Sequence, residues 1–162
     1  MSWFAAESPL FPEIVALNGK WQGAKPAVVD GVRILSWTEF DKGTNLVANG
    51  LHALGVKRGD RVAVLMHNSL EMLEGIWGVL KSGGVVVPLN LSITDAAVVA
   101  MLADSAVVAV IASDEQCRRV ETLRSQLPRL LSDGCIACDA PDAAESWHEY
   151  RAWRDSQSPD LP

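Results

Sequence analysis

Residues 59–90 read GDRVAVLMHNSLEMLEGIWGVLKSGGVVVPLN, a strand, a tight turn, a buried helix, a glycine stop and a second strand. Arg61 to Met66 is a short apolar run rich in β-branched residues, bounded by Gly59-Asp60 and by His67-Asn68-Ser69. Asn68 is positioned to cap the helix, with Glu71 three residues on returning the bond. Leu70, Leu73, Trp77 and Leu80 form one apolar stripe. Met72, Ile76 and Val79 extend it nearly all round, which predicts a buried helix. Lys81-Ser82-Gly83-Gly84 ends it, because glycine takes the left-handed conformation without steric cost. Val85-Val86-Val87 then suits a parallel strand covered on both faces. A strand–helix–strand unit of this length predicts a right-handed crossover.

Working outward, residues 1–24 form an arm carrying Trp3, Phe4, Leu10, Phe11 and Trp21, with a short helix over Leu10–Leu17 ended by Asn18-Gly19. The aromatics are expected to pin this arm to the body. Ala27 to Val29, Asp30-Gly31 and Val32 to Leu35 make a hairpin, since Asp-Gly suits a two-residue turn with positive φ at both positions. Thr38 is the expected cap of a helix marked by Phe40, Thr44, Val47, Ala48, Leu51 and Leu54, which Gly55 stops.

Beyond the central unit, Thr94 caps a helix from Asp95 to about Ala103, and Val107 to Ala112 is a buried strand. Ser113 with Gln116 predicts a capping box for a helix to about Leu127, where Pro128 forbids continuation. Gly134 to Asp139 supplies a further short strand, and Glu145 to Trp153 an amphipathic helix. Residues 25–155 are thus read as one α/β unit and residues 156–162, polar and proline-bearing, as a linker. The alternation predicts an α/β fold: a mainly parallel sheet flanked by helices on both faces, with an N-terminal β-hairpin. No internal repeat interrupts it.

The chain has 162 residues, 49% of them hydrophobic, so a sizeable core is available. A formal charge of −6 argues against nucleic acid as a partner. Local basic groups (Lys57, Arg58 and Arg61; Arg118, Arg119, Arg124 and Arg129) read as solvated helix faces. No signal peptide and no transmembrane segment is visible, which predicts a soluble cytoplasmic protein. Three cysteines, an odd number, suit a reducing compartment. Cys135 and Cys138 have the spacing of metal ligands, but Cys117 and His148 do not complete a set; ordinary buried thiols and no metal site are expected.

In a parallel sheet, ligands gather outside the carboxyl ends of the strands. Three loops fall there: His67-Asn68-Ser69, Leu89-Asn90-Leu91-Ser92 and Ser113-Asp114. His67, Asn68 and Asn90 are the substrate-proximal candidates. His67 is the one histidine on that edge, the side-chain type whose unperturbed pKa lies nearest neutrality. Asn68 and Ser113 have a simpler role as helix caps, and Asn90 as a tie between loops. No second acid or base is fixed beside His67 by sequence, so no catalytic and no cofactor-binding residue is assigned. There is no G-x-x-x-x-G-K-[ST] loop, no G-x-G-x-x-G after a strand and no G-x-S-x-G elbow. Gly83-Gly84 lies between helix and strand, at the wrong end of the sheet to cradle phosphate.

Five segments carry a further signal: Ala27-Val-Val-Asp-Gly31; Leu35-Ser-Trp-Thr-Glu-Phe40; Gly55-Val-Lys-Arg-Gly-Asp-Arg-Val-Ala63 followed by Asn68-Ser69; Gly78-Val-Leu-Lys-Ser-Gly-Gly-Val-Val-Val-Pro-Leu-Asn90; and Leu102-Ala-Asp-Ser105 before an apolar strand. Their order resembles the N-terminal region of the adenylate-forming acyl- and aryl-CoA synthetases, the AMP-binding or ANL superfamily. The resemblance implies a ligase that joins a carboxylic acid to ATP with release of pyrophosphate and passes the acyl-adenylate to coenzyme A (CoA). The family's Ser/Thr/Gly-rich phosphate loop, its later motifs and its catalytic lysine have no match here. The resemblance therefore implies a first subdomain, inactive alone. ATP, Mg and CoA belong to the parent enzyme and no cofactor is expected on these residues. An uncovered apolar face, among the carboxyl-edge loops and the Glu145–Trp153 helix, would support a homodimer. An adenylation domain loading a carrier protein, or a stand-alone α/β binding or interaction module, are the alternatives. Fatty, aromatic and short acids are all compatible.

Overall fold

The computed structural model describes residues 11–113 and 115–162. The expectations for Trp3, Phe4, Leu10 and Asp114 lie outside them. In chain order the elements are α1 (Glu13–Gln22), β1 (Pro26–Asp30), β2 (Arg33–Ser36), α2 (Trp37–Ala53), β3 (Arg61–Leu65), α3 (Leu70–Lys81), β4 (Val85–Pro88), α4 (Asp95–Asp104), β5 (Ala109–Ser113), α5 (Glu115–Leu123), β6 (Cys135–Cys138), β7 (His148–Glu149) and α6 (Tyr150–Asp155). Among the described residues the main sheet has the order β4-β3-β5-β6-β7, and every pairing in it is parallel. β1 and β2 form a separate antiparallel hairpin. The expected α/β architecture is the one present.

Strand alternation sends successive side chains to opposite faces. Val110 and Ala112 pack with Val98, Leu102 and Val120 under α4 and α5. Ala109 and Ile111 pack with Val47, Leu51, Val79, Tyr150 and Trp153 under α2, α3 and α6. Two glycines let α2 and α3 approach closely. A Cβ on Gly78 would lie 2.4 Å from Val47, and one on Gly43 would lie 1.8 Å from a carboxylate oxygen of Glu74.

Several local expectations are corrected. Ser69, not Asn68, caps α3: its hydroxyl accepts the Met72 N–H at 3.1 Å, and Asp30 accepts the Leu70 N–H at 3.3 Å. Glu71 cannot reach back to complete a box because its side chain is turned into the protein. Ser36, not Thr38, caps α2, in a full capping box with Glu39. The hairpin turns at Gly31-Val32 rather than Asp30-Gly31, since Asp30 pairs with Arg33 and only Gly31 (φ 59°) is left-handed there. α1 runs through Asn18-Gly19 to Gln22; Gly19 serves close approach to Asp41 rather than termination. Phe11 does pin the arm, stacking on Trp77 at 4.6 Å, but Trp21 is 74% exposed.

β4 lies at an edge of the described sheet, and Val85 is 47% exposed, so this strand is not covered on both faces. α5 stops at Leu123 and continues as one 3-10 turn to Gln126. In place of a helix from Glu145, residues 148–149 pair with β6 and α6 starts at Tyr150, capped by the Glu149 carboxylate. The buried face of α3 also differs from the expected stripe. It carries Leu70, Glu71, Glu74, Gly75, Gly78 and Val79, whereas Leu73, Trp77 and Leu80 are only half-buried.

Candidate functional site

Because every pairing in the main sheet is parallel, the segments after β3, β4, β5 and β6 emerge at one edge. β3 lies between β4 and β5, so the His67 and Asn90 loops are neighbours. His67, Asn68 and Asn90 are all exposed on that edge. Among the described residues neither His67 nor Asn68 makes a side-chain hydrogen bond. The Asn90 carboxamide oxygen accepts the Ser92 N–H at 2.8 Å, which ties its own loop rather than two loops together. The edge brings the three residues into one region without joining them into a catalytic arrangement.

Beside them is an open cleft of about 320 Å³ lined by Leu91, Ser92, Ile93, Glu115, Gln116 and Arg119. Among the described residues Arg119 is its only lining cation, and that cation is largely engaged. It bonds Asp95 at 2.6 Å, the Leu91 carbonyl at 3.1 Å, Gln116 at 3.3 Å and the Ile93 carbonyl. This arginine staples the β4–α4 loop onto α5. Ser113 is the last residue of β5, not a cap, and its buried hydroxyl makes no hydrogen bond among the described residues.

A nucleotide would need donors for its phosphates, and this edge has few to offer. The guanidinium is already committed, and the first amides of α3 and α4 are taken by Asp30, Ser69 and Thr94. These residues do not fit ATP on their own. Cys135 and Cys138 face opposite sides of the sheet, one in each core cluster, so they cannot clasp a single metal. Burial pushes their thiols up, to about 11 and about 12.

What sequence reasoning missed is an ionic cluster inside the protein. Glu71 and Glu74 on α3 each have side chains 3% exposed. Arg33 of β2 donates twice to Glu71, at 2.6 and 3.2 Å, and Arg151 of α6 approaches it at 3.4 Å. Glu74 accepts from the Tyr150 hydroxyl at 2.8 Å and from Arg154 at 2.7 Å. Burial opposes ionisation of Glu71, but the Arg33 hydrogen bonds and the nearby cations outweigh it and hold this carboxyl below its ordinary value. Burial, reinforced by Glu74, pushes the Tyr150 phenol well above its own. The matching (i, i+3) spacings of Glu71/Glu74 and Arg151/Arg154 were visible in the sequence; their pairing was not. The cluster joins hairpin, α3 and α6 and is structural.

The apolar surface also lies elsewhere than expected. Trp147 and Trp153 are 7% exposed, while the exposed large apolar side chains include Val29, Val32 and Ile34 of the hairpin and Phe11, Leu17 and Trp21 at α1. Among the described residues, no helix is long and apolar enough to cross a membrane.

A family model described as "AMP-binding enzyme" matches residues 17–161. The 3-hydroxybenzoate–CoA ligase of Aromatoleum sp. (strain CIB) is 38% identical over 82 residues, 51% of this chain and 16% of that protein. Bacitracin synthase 3 of Bacillus licheniformis is 33% identical over 107 residues, 66% of this chain and 2% of that protein. Among solved structures, the anthranilate CoA ligase AuaEII in complex with anthranoyl-AMP superposes with a TM-score of 0.85 at 23% identity, over 93% of this chain and 28% of that one. The fold is shared, and this chain spans a minor part of each of these proteins.

Proposed function

Because this chain belongs to the AMP-binding enzyme family, we propose that it is the first subdomain of an ATP-dependent carboxylic acid–CoA ligase. The observation that carries the reading is the family match over residues 17–161 on a fold that superposes on 93% of its length with an aryl-CoA ligase. Within the family, two hydroxybenzoate–CoA ligases, at 38% and 37% identity, support CoA as the acyl acceptor and an aromatic acid as the first substrate to try. Among the described residues, the Arg119 guanidinium and the capped amides of α3 and α4 leave few donors for phosphate on the carboxyl edge, so ATP and Mg are assigned to further polypeptide of the enzyme. No step of the reaction is given to a residue of this chain. His67, Asn68 and Asn90 remain the residues proposed to lie nearest the acid, as one wall of its pocket.

ATP–pyrophosphate exchange tests this. The polypeptide from the complete reading frame is expected to exchange label with benzoate, 3-hydroxybenzoate or anthranilate and to form the CoA thioester. Residues 1–162 alone are expected to do neither. Exchange by residues 1–162 alone would overturn the assignment of the nucleotide site. A second reading, an adenylation domain that loads a carrier protein, is favoured by the 33% identity to bacitracin synthase 3. Exchange with amino acids, and transfer to a phosphopantetheinyl carrier but not to CoA, would establish it.

A further inference from the structure

We propose that Asn45 and Asn49 of α2 form an amide clamp that fixes the path of the chain as it leaves α6. The two residues are one helical turn apart and so stand side by side on α2. The Asn49 side-chain N–H groups donate to the Ser158 carbonyl at 2.8 Å and to the Asp160 carbonyl at 2.9 Å. The Asn45 amide donates to the Pro159 carbonyl between them at 3.0 Å. Three consecutive main-chain acceptors, in a segment with no regular structure, are therefore bound by two side chains.

The clamp is itself held. Asn45 is 5% exposed, and its carboxamide oxygen accepts from Lys81 of α3 at 2.7 Å. Lys81 has a side chain 3% exposed and is paired with Asp41 at 2.5 Å. A cation accepts no hydrogen bond, so Lys81 dictates which end of the Asn45 amide faces it and turns the NH2 group toward the tail. The tail is also shaped from within. The Gln157 amide donates to the Trp153 carbonyl at 2.9 Å, and Ser158 and Asp160 exchange two hydrogen bonds, at 3.0 and 3.2 Å. Pro159 fixes one φ angle and has no N–H to satisfy. A polar, proline-bearing stretch that composition marks as a free linker is thereby seated on α2, and polypeptide following it would set out from a fixed point. This inference does not depend on which reaction the enzyme performs.

The test is 15N relaxation of the 162-residue protein and of two variants. Order parameters at Gln157, Ser158 and Asp160 are expected near the rigid-backbone value of about 0.85 in the unmodified protein. In Asn49→Ala they are expected to fall below about 0.6 with α2 and α3 unchanged; alanine favours the helix, so this variant keeps its fold. Asn45→Asp retains an acceptor for Lys81 but loses the donor, and is expected to loosen the same residues. Cleavage N-terminal to Asp160 by an Asp-specific protease should accelerate at least about tenfold in both, as the open population grows. A tail already mobile in the unmodified protein, or unchanged in Asn49→Ala, overturns the clamp. If Asn45→Asp does not fold, Asn49→Ala decides alone.

Discussion

Glu74→Gln is the most informative single change, because it removes a charge and almost nothing else. The side chain is 3% exposed and accepts from Tyr150 at 2.8 Å and Arg154 at 2.7 Å. Its other oxygen lies where a Cβ on Gly43 would come within 1.8 Å, so there is no room to rotate away. Both donors bond the same carboxylate oxygen, so a glutamine of the same shape keeps an acceptor for them with its carbonyl oxygen but meets Arg154 without a negative charge. Breaking a buried ion pair from one side costs about 3–5 kcal/mol. Arg154 is 21% exposed and keeps Asp155 at 2.7 Å, so the lower end applies. With a urea slope of about 2 kcal/mol/M, a loss of about 3 kcal/mol lowers the unfolding midpoint by about 1.5 M. Tyr150→Phe, which leaves the ion pair intact, should lose about 1.5–3 kcal/mol, the range for a hydrogen bond to a charged group. Glu74→Leu combined with Arg154→Met should be less destabilised than Glu74→Gln alone, since no unpaired charge remains. Urea unfolding followed by tryptophan fluorescence reads all of these. A midpoint shift under about 0.3 M for Glu74→Gln, or additivity within about 0.5 kcal/mol in the Glu74/Arg154 cycle, would show that the cluster does not hold α6 in place.

Three further outcomes follow from the packing and the titrating groups. Gly43→Ala should cost about 1–3 kcal/mol, by overpacking against Glu74, and Gly31→Ala about 1 kcal/mol, because its φ of 59° disfavours a side chain although the space is open; calorimetry ranks the two. The Cys135 and Cys138 thiols are pushed up to about 11 and about 12, so their contribution is complete below the unfolded value of about 8.5 and is lost as pH rises from there through the folded values. Urea midpoints should fall above about pH 8.5, and neither thiol should react with a disulfide reagent at pH 8 until denaturant is added; prompt labelling refutes their burial. The Glu71 carboxyl is held below its ordinary value, so its contribution is present above the unfolded value of about 4.3 and is lost as pH falls through the folded one. Glu71→Gln should therefore flatten the acid limb of the stability profile below about pH 4.3, measured by urea midpoints between pH 5 and 3.

The alternation of strands and helices was legible because the apolar runs at 61–66, 85–87 and 107–112 are too short and too β-branched for helices, and the segments between them repeat at helical spacing. Boundaries slipped by one or two residues where the sequence offers rival caps. His67-Asn68-Ser69 contains two good capping residues, and the choice between them follows from which face of α3 is buried. Ser36 and Thr38 compete in the same way, and Glu39 settles it by completing the box with Ser36. The position of His67, Asn68 and Asn90 on one edge follows from strand direction alone, which is why it could be read. Whether they touch depends on loop conformation, which no local pattern encodes.

The inside-out reading of α3 has a deeper cause. Taken alone, a helix with glutamates at 71 and 74 is expected to turn them to water. It buries them because the opposing helix carries arginines at the same (i, i+3) interval, 80 residues later in sequence, and because Gly43 leaves space for a carboxylate where any side chain would collide. The burial of each carboxylate is favourable only once its cations have arrived, Arg33 and Arg151 at Glu71 and Arg154 at Glu74. Both segments show apolar positions, Leu70 and Val79 in one and Tyr150 and Trp153 in the other, but those positions do not reveal the pairing, and the amphipathic pattern at 145–153 gave no weight to Arg151 or to Arg154 just beyond it. A contact of this kind selects its partner by charge register as well as by shape. An α6 shifted by one residue would bring Tyr150 or Ala152 opposite Glu71 and leave that carboxylate with Arg33 alone, so the cluster fixes the register of the last helix in a way that its apolar residues, which repeat at the same interval, do not.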